Sequence, residues 1–504
     1  MKHAFLFLLL FAFAAQGQVT DLSKLSRGRF YSSDEIKDAN NNIRGYFLLF
    51  ESDKVAKETY ELEYVVLDEN LTKVTNGFIT EMKYESWLVK AKNIEVDATL
   101  YKNKLLLQFH DNIQGMAYFK RYRTLDLPSN ELSKPFIFVK DSVHVDPVFD
   151  RKNTNIANNM SESIHYFEGV GLMVNSETID KKEKRTTQYL ARYDDDFNQV
   201  WRYDYEDKSG KKFKDIYYQK SDEDVIVLLN RYSKGSGVWM NDNSILFVDS
   251  ATGKLRNEFA FPNLDKHSYL IVDCTLTDDK IYVMGNYSGK SKYGGIDDLD
   301  NTGIYNFVFD KATGKLLTSD YFKWTQLGNK LEISESGKVK KEGYMYVHDM
   351  LLMDNGNIIV VTETFKQSPI TTNNMYFFEM NEKFDVEQIF EVEKFKNKFS
   401  STVAHSTDIK KYGLFDYIDY QDLGDGEYLF FLNDNEKNSK NRNKSTLYGI
   451  VTYVDGKFSR QTLDLKTETS TIYAFNAKKG YLMLIEAFDA KNKPAEFRLE
   501  KINY

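Results

Sequence analysis

The chain has 504 residues and a formal net charge of −8, with 67 Lys and Arg against 75 Asp and Glu. That acidic balance excludes general nucleic-acid binding, which needs clustered cations to displace counterions from phosphates. A single Cys excludes an internal disulfide, so packing must hold the fold, and 34 Tyr and 36 Phe beside only 6 Pro favour strands joined by Gly, Asn and Asp turns.

In chain order, Lys2 precedes an apolar run over residues 4–15, and Ala15-Gln16-Gly17 places small residues around a cleavage point. The run is too short for a helical membrane span of roughly 20 residues. Residues 1–17 are therefore expected to be a cleavable signal peptide. Residues 18–504 are expected to be exported to the periplasm or the cell exterior as one domain. No later segment is apolar for long enough to cross a bilayer as a helix.

Strand-like runs then follow one another to the C-terminus with no Pro-, Gly- and Ser-rich linker. They group into units of four short strands, A to D. GYFLLFES at Gly45, YELEYVVLDEN at Tyr60 and VTNGFITE at Val74 read as B, C and D of a first unit. Weaker copies run through VDATLYKNKLLLQF at Val96 and through ESIHYFEGVGLMVN at Glu162. Clear copies begin at Asp215, Leu270, Tyr346 and Tyr417, and a final partial copy begins at Ile472. The expected fold is all-β, a single β-propeller of eight four-stranded antiparallel blades. Seven is the alternative count, because the first unit's A strand is poorly marked. The last unit lacks its D strand, and N-terminal chain (Phe30 and Tyr31, or the stretch before them) is expected to supply it and cover the open edge.

Two hairpins share one design. Asp249, Thr252, Gly253 and Lys254 recur as Asp310, Thr313, Gly314 and Lys315, each set joining two apolar strands. Gly suits the left-handed position of a tight turn, and the Asp carboxylate can accept backbone N–H groups within it. These hairpins resemble the repeats of quinoprotein-type (PQQ-like) propellers, with a degenerate copy at residues 453–457. In that family a Trp docks between blades, and the resemblance assigns Trp201 and Trp324 to this role. Some members carry a vicinal disulfide beside the quinone; one Cys cannot form it, so no quinone cofactor is expected. As a whole the chain resembles uncharacterised exported β-propeller families of bacteria, a likeness that implies no activity.

Candidate sites follow from the expected blade orientation. Each A strand tends to start with an acid: Asp97, Glu162, Asp215, Asp273, Asp349 and Asp419. Crowded carboxylates at a channel mouth would attract a cation, and calcium is the divalent ion considered. The other reading has each carboxylate bonding the backbone of the next blade. His165 and His348 would lie near the same mouth as candidate bases or ligands. Long connections, which carry function on rigid scaffolds, hold Arg231, Trp239, Tyr287, Tyr293 and Trp324. Aromatics beside carboxylates suit a glycan or a peptide. No HExxH, P-loop, GxSxG or Rossmann glycine pattern occurs. The expectation is a binding scaffold for a glycan, peptide or envelope protein, with a metal-assisted hydrolase or lyase as the alternative.

Overall fold

The computed structural model of the chain describes residues 19–21, 25–38, 42–56, 58–83, 91, 93–113, 116–139, 142–145, 163–180, 185–205, 212–234, 238–239, 243–262, 268–288, 301–328, 330–399, 406–411, 413–434, 447–465, 467, 469–488 and 496–504. Residues 1–17, the expected signal peptide, lie outside them. Among the described residues no helix is long and apolar enough to cross a membrane.

The fold is all-β, a succession of four-stranded antiparallel sheets in sequence order. Sheet 1 comprises Arg29–Lys37, Ile43–Ala56, Thr59–Asp68 and Lys73–Met82; sheet 2 comprises Ile94–Tyr101, Lys104–Ile113, Met116–Asp126 and Phe136–Val139. One parallel bridge, Lys37 to Thr99, ties these two together. Sheet 3 holds Ile164–Phe167, Gly171–Asp180, Arg185–Tyr193 and Gln199–Tyr205. Sheet 4 holds Lys212–Ser221, Val225–Lys234, Ser244–Asp249 and Leu255–Ala260, and sheet 5 holds Ser268–Leu276, Lys280–Ser288, Asn301–Asp310 and Leu316–Lys323. Sheet 6 is Gly343–Leu352, Ile358–Gln367, Ile370–Met380 and Val386–Val392; sheet 7 is Tyr417–Gly424, Glu427–Asn433, Leu447–Val454 and Lys457–Asp464. Sheet 8 takes Ser470–Asn476, Tyr481–Phe488 and Glu496–Lys501 from the C-terminus and Val19–Asp21 from the N-terminus.

The burial pattern explains why the second and third strands read as unbroken apolar runs. In Ile358–Gln367 the first eight residues are buried, whereas Leu316–Lys323, a fourth strand, is largely exposed. Middle strands are covered on both faces by neighbouring sheets, which favours continuous Val, Ile, Leu and Phe. Apolar clusters bridge the sheets in consecutive pairs. Phe47 packs with Leu107, Tyr122 with Ala191, Trp201 with Leu246, and Phe247 with Tyr305. Met284 then groups with Phe378, Phe377 with Phe430, and Phe431 with Leu484. The eighth cluster joins sheet 8 back to sheet 1, through Met483, Phe497 and Leu499 against Tyr46, Leu48 and Phe50.

The strand that completes sheet 8 is the stretch before Phe30 and Tyr31. Val19 pairs with Arg498 and Asp21 with Glu496, antiparallel. Phe30 and Tyr31 themselves belong to the first strand of sheet 1, the strand that was poorly marked in the sequence. Both shared hairpins are turns as expected. Asp249 Oδ1 accepts the Thr252 backbone N–H at 2.9 Å and its hydroxyl at 2.7 Å, and Asp310 Oδ1 accepts the Thr313 N–H at 2.8 Å. Gly253 and Gly314 sit at φ 69° and 67°. Cys274 is a buried packing residue.

Candidate functional site

The first strands of sheets 1 and 2, 2 and 3, 4 and 5, 5 and 6, and 7 and 8 neighbour one another. Their side chains form an inner wall, but the acids expected at the strand starts lie inside the strands instead, because each strand begins earlier than its apolar pattern suggested. Asp97 is fourth of eight in Ile94–Tyr101, Asp273 sixth of nine in Ser268–Leu276 and Asp349 seventh of ten in Gly343–Leu352. Asp97 accepts from Gln108 Nε2 at 2.7 Å within its own sheet and lies 3.5 Å from His110 Nδ1. Asp273 accepts the Thr275 hydroxyl at 2.7 Å; burial, with Asp349 adding to it, pushes its carboxyl up to about 6. Asp349 accepts the hydroxyl of Tyr417 from the next sheet, and burial raises it too. Asp419 accepts from Asn476 Nδ2 at 3.1 Å, again on the next sheet, and stands 3.9 Å from Lys37 Nζ. Asp215 is half-buried on its strand, and Glu162 lies outside the described residues. Asp34, an acid the sequence reading missed, accepts the Ala98 backbone N–H at 2.6 Å across the seam from sheet 1 to sheet 2. Asp34, Asp349 and Asp419 thus each bond sideways to the following sheet. Among the described residues no three His, Cys, Asp or Glu side chains are grouped to hold a metal.

The two candidate histidines part company. His165 is exposed on Ile164–Phe167. His348 is 3% exposed, enclosed by the rings of Tyr346, Phe415 and Tyr417, with Nε2 at 3.3 Å from Glu363 Oε2. Burial outweighs the pull of Glu363 and lowers its pKa, so the ring is neutral and closed off from a substrate. A buried ion network adjoins it: Lys394 Nζ lies 3.1 Å from Glu363 Oε1 and 2.5 Å from Asp416 Oδ2. Asn397 and Thr372 also donate to Asp416, and the Asp416 N–H donates back to Glu363. Every charge there has a partner, the condition for burying it. The network seals the seam between sheets 6 and 7.

The loop aromatics also separate. Tyr287 is 2% exposed and Trp324 is fully buried, so neither offers a ring to a ligand. Strand Lys280–Ser288 continues past Tyr287 and carries it into the core of sheets 4 and 5, and the 3-10 turn Trp324–Leu327 folds its Trp inward against Phe378. Arg231 is half-buried, its guanidinium 5.8 Å from the centre of the Tyr217 ring. Trp239 lies on the short strand Val238–Trp239, and its side chain is outside the described residues, as is all of Tyr293. Trp201 docks between sheets 3 and 4: its indole N–H donates to the Ser250 carbonyl at 3.0 Å, and its ring covers Gly253.

A concavity opens on the inner wall at the C-terminal ends of the first strands of sheets 1 to 4. It has a volume of about 470 Å³ and is lined by Lys37, Thr99, Tyr101, Lys102, Tyr166, Glu168, Tyr218 and Asp222, among others. That lies within the roughly 300–1,000 Å³ of small-molecule sites. Tyr101 and Tyr166 stack across sheets 2 and 3 with ring centres 5.1 Å apart and planes at 27°. Phe167 and Tyr218 meet across sheets 3 and 4 with ring centres 4.0 Å apart and planes tilted by 32°. The Glu168 carboxylate is 3.8 Å from Lys220 Nζ; burial raises its pKa, with Asp222 and Asp38 adding to the effect and Lys220 opposing it. Lys102 Nζ stands 5.2 Å from the Tyr101 ring centre. Sequence reading missed this site. Its signal was a Tyr near the end of three successive A strands, at 101, 166 and 218.

The chain is similar to the WD40 domain of SCAP from fission yeast, at 8% identity over 97% of this chain and 98% of that one, with a TM-score of 0.37. It is also similar to the β-propeller domain of the Trilobed protease from Pyrococcus furiosus, at 9% identity over 82% of this chain and 97% of that one, with a TM-score of 0.34. Likenesses this distant carry no argument about activity. No curated protein matches the sequence. A family model does, over residues 1–373 and 368–503, and the chain belongs to that family, DUF6770, a family of unknown function.

Proposed function

We propose that this chain is an exported, single-domain, eight-bladed β-propeller that acts as a binding scaffold for a glycan, a peptide or an envelope protein. The eight sheets are its blades and their first strands line an axial channel. Apolar clusters between every consecutive pair of sheets, the last pair being sheets 8 and 1, support this count. The observation that carries a binding role is the tyrosine-lined cavity of about 470 Å³ at the hairpin end of the channel. A rigid ring holds its aromatic and charged groups in place before a ligand arrives, which lowers the entropic cost of binding.

The test is a binding screen of the exported full chain on glycan and peptide arrays, repeated with Tyr101→Ala. Binding that weakens in the variant supports the reading. Binding that the variant leaves untouched moves the site off the channel.

A further inference from the structure

We propose that the cavity at the hairpin end of the channel binds a neutral carbohydrate, which deepens the scaffold reading and rests on it. The stacked pair Tyr101 and Tyr166 gives an aromatic wall shared by two sheets. Sugar rings use such walls through their C–H faces, and the polar rim of a tyrosine lets one residue serve both packing and hydrogen bonding. Neither of these two hydroxyls has a hydrogen bond within the described chain. Next to them stand a carboxylate, Glu168, whose nearest cation at 3.8 Å is beyond hydrogen-bond reach, and the exposed ammonium of Lys102. One acceptor, one cationic donor and two hydroxyls beside stacked rings match the alternating hydroxyls of a sugar.

Charge points the same way. Of the other carboxylates of the cavity, Asp222 is taken by Lys311 at 2.8 Å and Asp38 by Arg44 at 2.7 Å, while Glu223 is exposed. Lys37 is held by Glu35 at 3.0 Å. What remains is the Lys102 ammonium beside the Glu168 and Glu223 carboxylates, opposite charges within one cavity, and this near balance favours an uncharged ligand over a strongly basic or acidic peptide. Nor is there a free strand edge for an extended peptide at the wall between sheets 1 and 2, where Lys37 already pairs with Thr99.

The test titrates the exported full chain with neutral malto-, cello-, xylo-, arabino- and chito-oligosaccharides, and with Lys-rich and Glu-rich peptides, at low and physiological salt. A neutral oligosaccharide should bind with an affinity that salt leaves unchanged. Tyr166→Ala should weaken that binding by roughly three- to tenfold, the size of one aromatic contact. Lys102→Ala, on an exposed side chain whose loss cannot unfold the protein, should weaken it as well. Failure of every neutral sugar to bind overturns the proposal, and so does sugar binding indifferent to both variants. If a peptide binds instead and both variants weaken it, the carbohydrate assignment falls and the channel site stands. If neither class binds, the channel site falls with it.

Discussion

Lys394 Nζ lies 2.5 Å from Asp416 Oδ2 and 3.1 Å from Glu363 Oε1, with all three side chains fully buried between sheets 6 and 7. Two carboxylates share one cation, and His348 beside them is neutral. Replacing the ammonium by a methyl thioether, Lys394→Met, leaves two buried anions facing each other. The expected loss is about 3–5 kcal/mol, the cost of breaking a buried pair from one side, read as a lower urea midpoint. The network also sets an acid limit. Lys394 and the donors around it hold the Glu363 carboxyl down at about 2 despite burial. Its contribution is complete above the ordinary carboxylate range and is lost as pH falls through that range towards 2. The variant should lose this part of the acid dependence.

Asp273 works in the opposite direction. Burial and the nearby Asp349 raise its carboxyl to about 6, so between its unfolded pKa and that value the folded chain binds the extra proton. Stability contributed by this group is present below the ordinary carboxylate range and falls as pH rises through 6. Asp273→Asn keeps an acceptor for Thr275 and cannot ionise. The variant should gain stability relative to wild type at pH 7.5 and lose that advantage at pH 4.5, as measured by thermal unfolding at the two pH values.

The two glycines Gly253 and Gly456 share a left-handed conformation, φ 69° and 71°, but not their surroundings. A Cβ at Gly253 would run into the Trp201 ring, whereas at Gly456 the nearest atom is the Tyr453 hydroxyl at 4.0 Å. Alanine at either position meets the positive-φ strain of roughly 1–2 kcal/mol. Only Gly253→Ala adds the displacement of a docked Trp, about 1–3 kcal/mol of overpacking. Denaturant midpoints of the two variants should differ in that order, with Gly253→Ala the less stable.

The inner-wall carboxylates already have hydrogen-bond donors, Asp349 from Tyr417 and Asp419 from Asn476 on neighbouring sheets, Asp97 from Gln108 and Asp273 from Thr275 within their own. On this account a divalent ion gains nothing from them. The melting temperature should be the same in EDTA and in millimolar calcium. A site saturated at 100 times its Kd would raise stability by about 2.7 kcal/mol, so a calcium-dependent rise would restore the metal reading of this wall.

Much of the fold was legible because its period is local. The second and third strands announce themselves as runs such as VIVLLN and IIVVTE, and the turns at Asp249 and Asp310 fix the strand order around them. The first strand of sheet 1, RFYSSDEIK, was obscured because it faces the inner wall and mixes Asp34 and Glu35 with few apolar residues. Tyr287 and Trp324 were read as loop aromatics from their Gly-rich and polar flanks, yet backbone continuation turns both inward. The Lys394–Asp416 pair sits outside the regular strands and joins residues 22 apart, and no periodicity marks such a contact. The cavity is less local still, since its walls come from four sheets.

Ring closure carries the account, because a channel exists only if sheet 8 seals against sheet 1. The most direct measurement is hydrogen exchange of the chain against a version beginning at residue 25, which lacks the strand Val19–Asp21 paired with Glu496–Arg498. Closure predicts that removing it lowers protection in residues 496–501 and, through the shared cluster of Phe497 and Leu499 with Tyr46, Leu48 and Phe50, in residues 45–50 as well. Unchanged protection in both segments would contradict it.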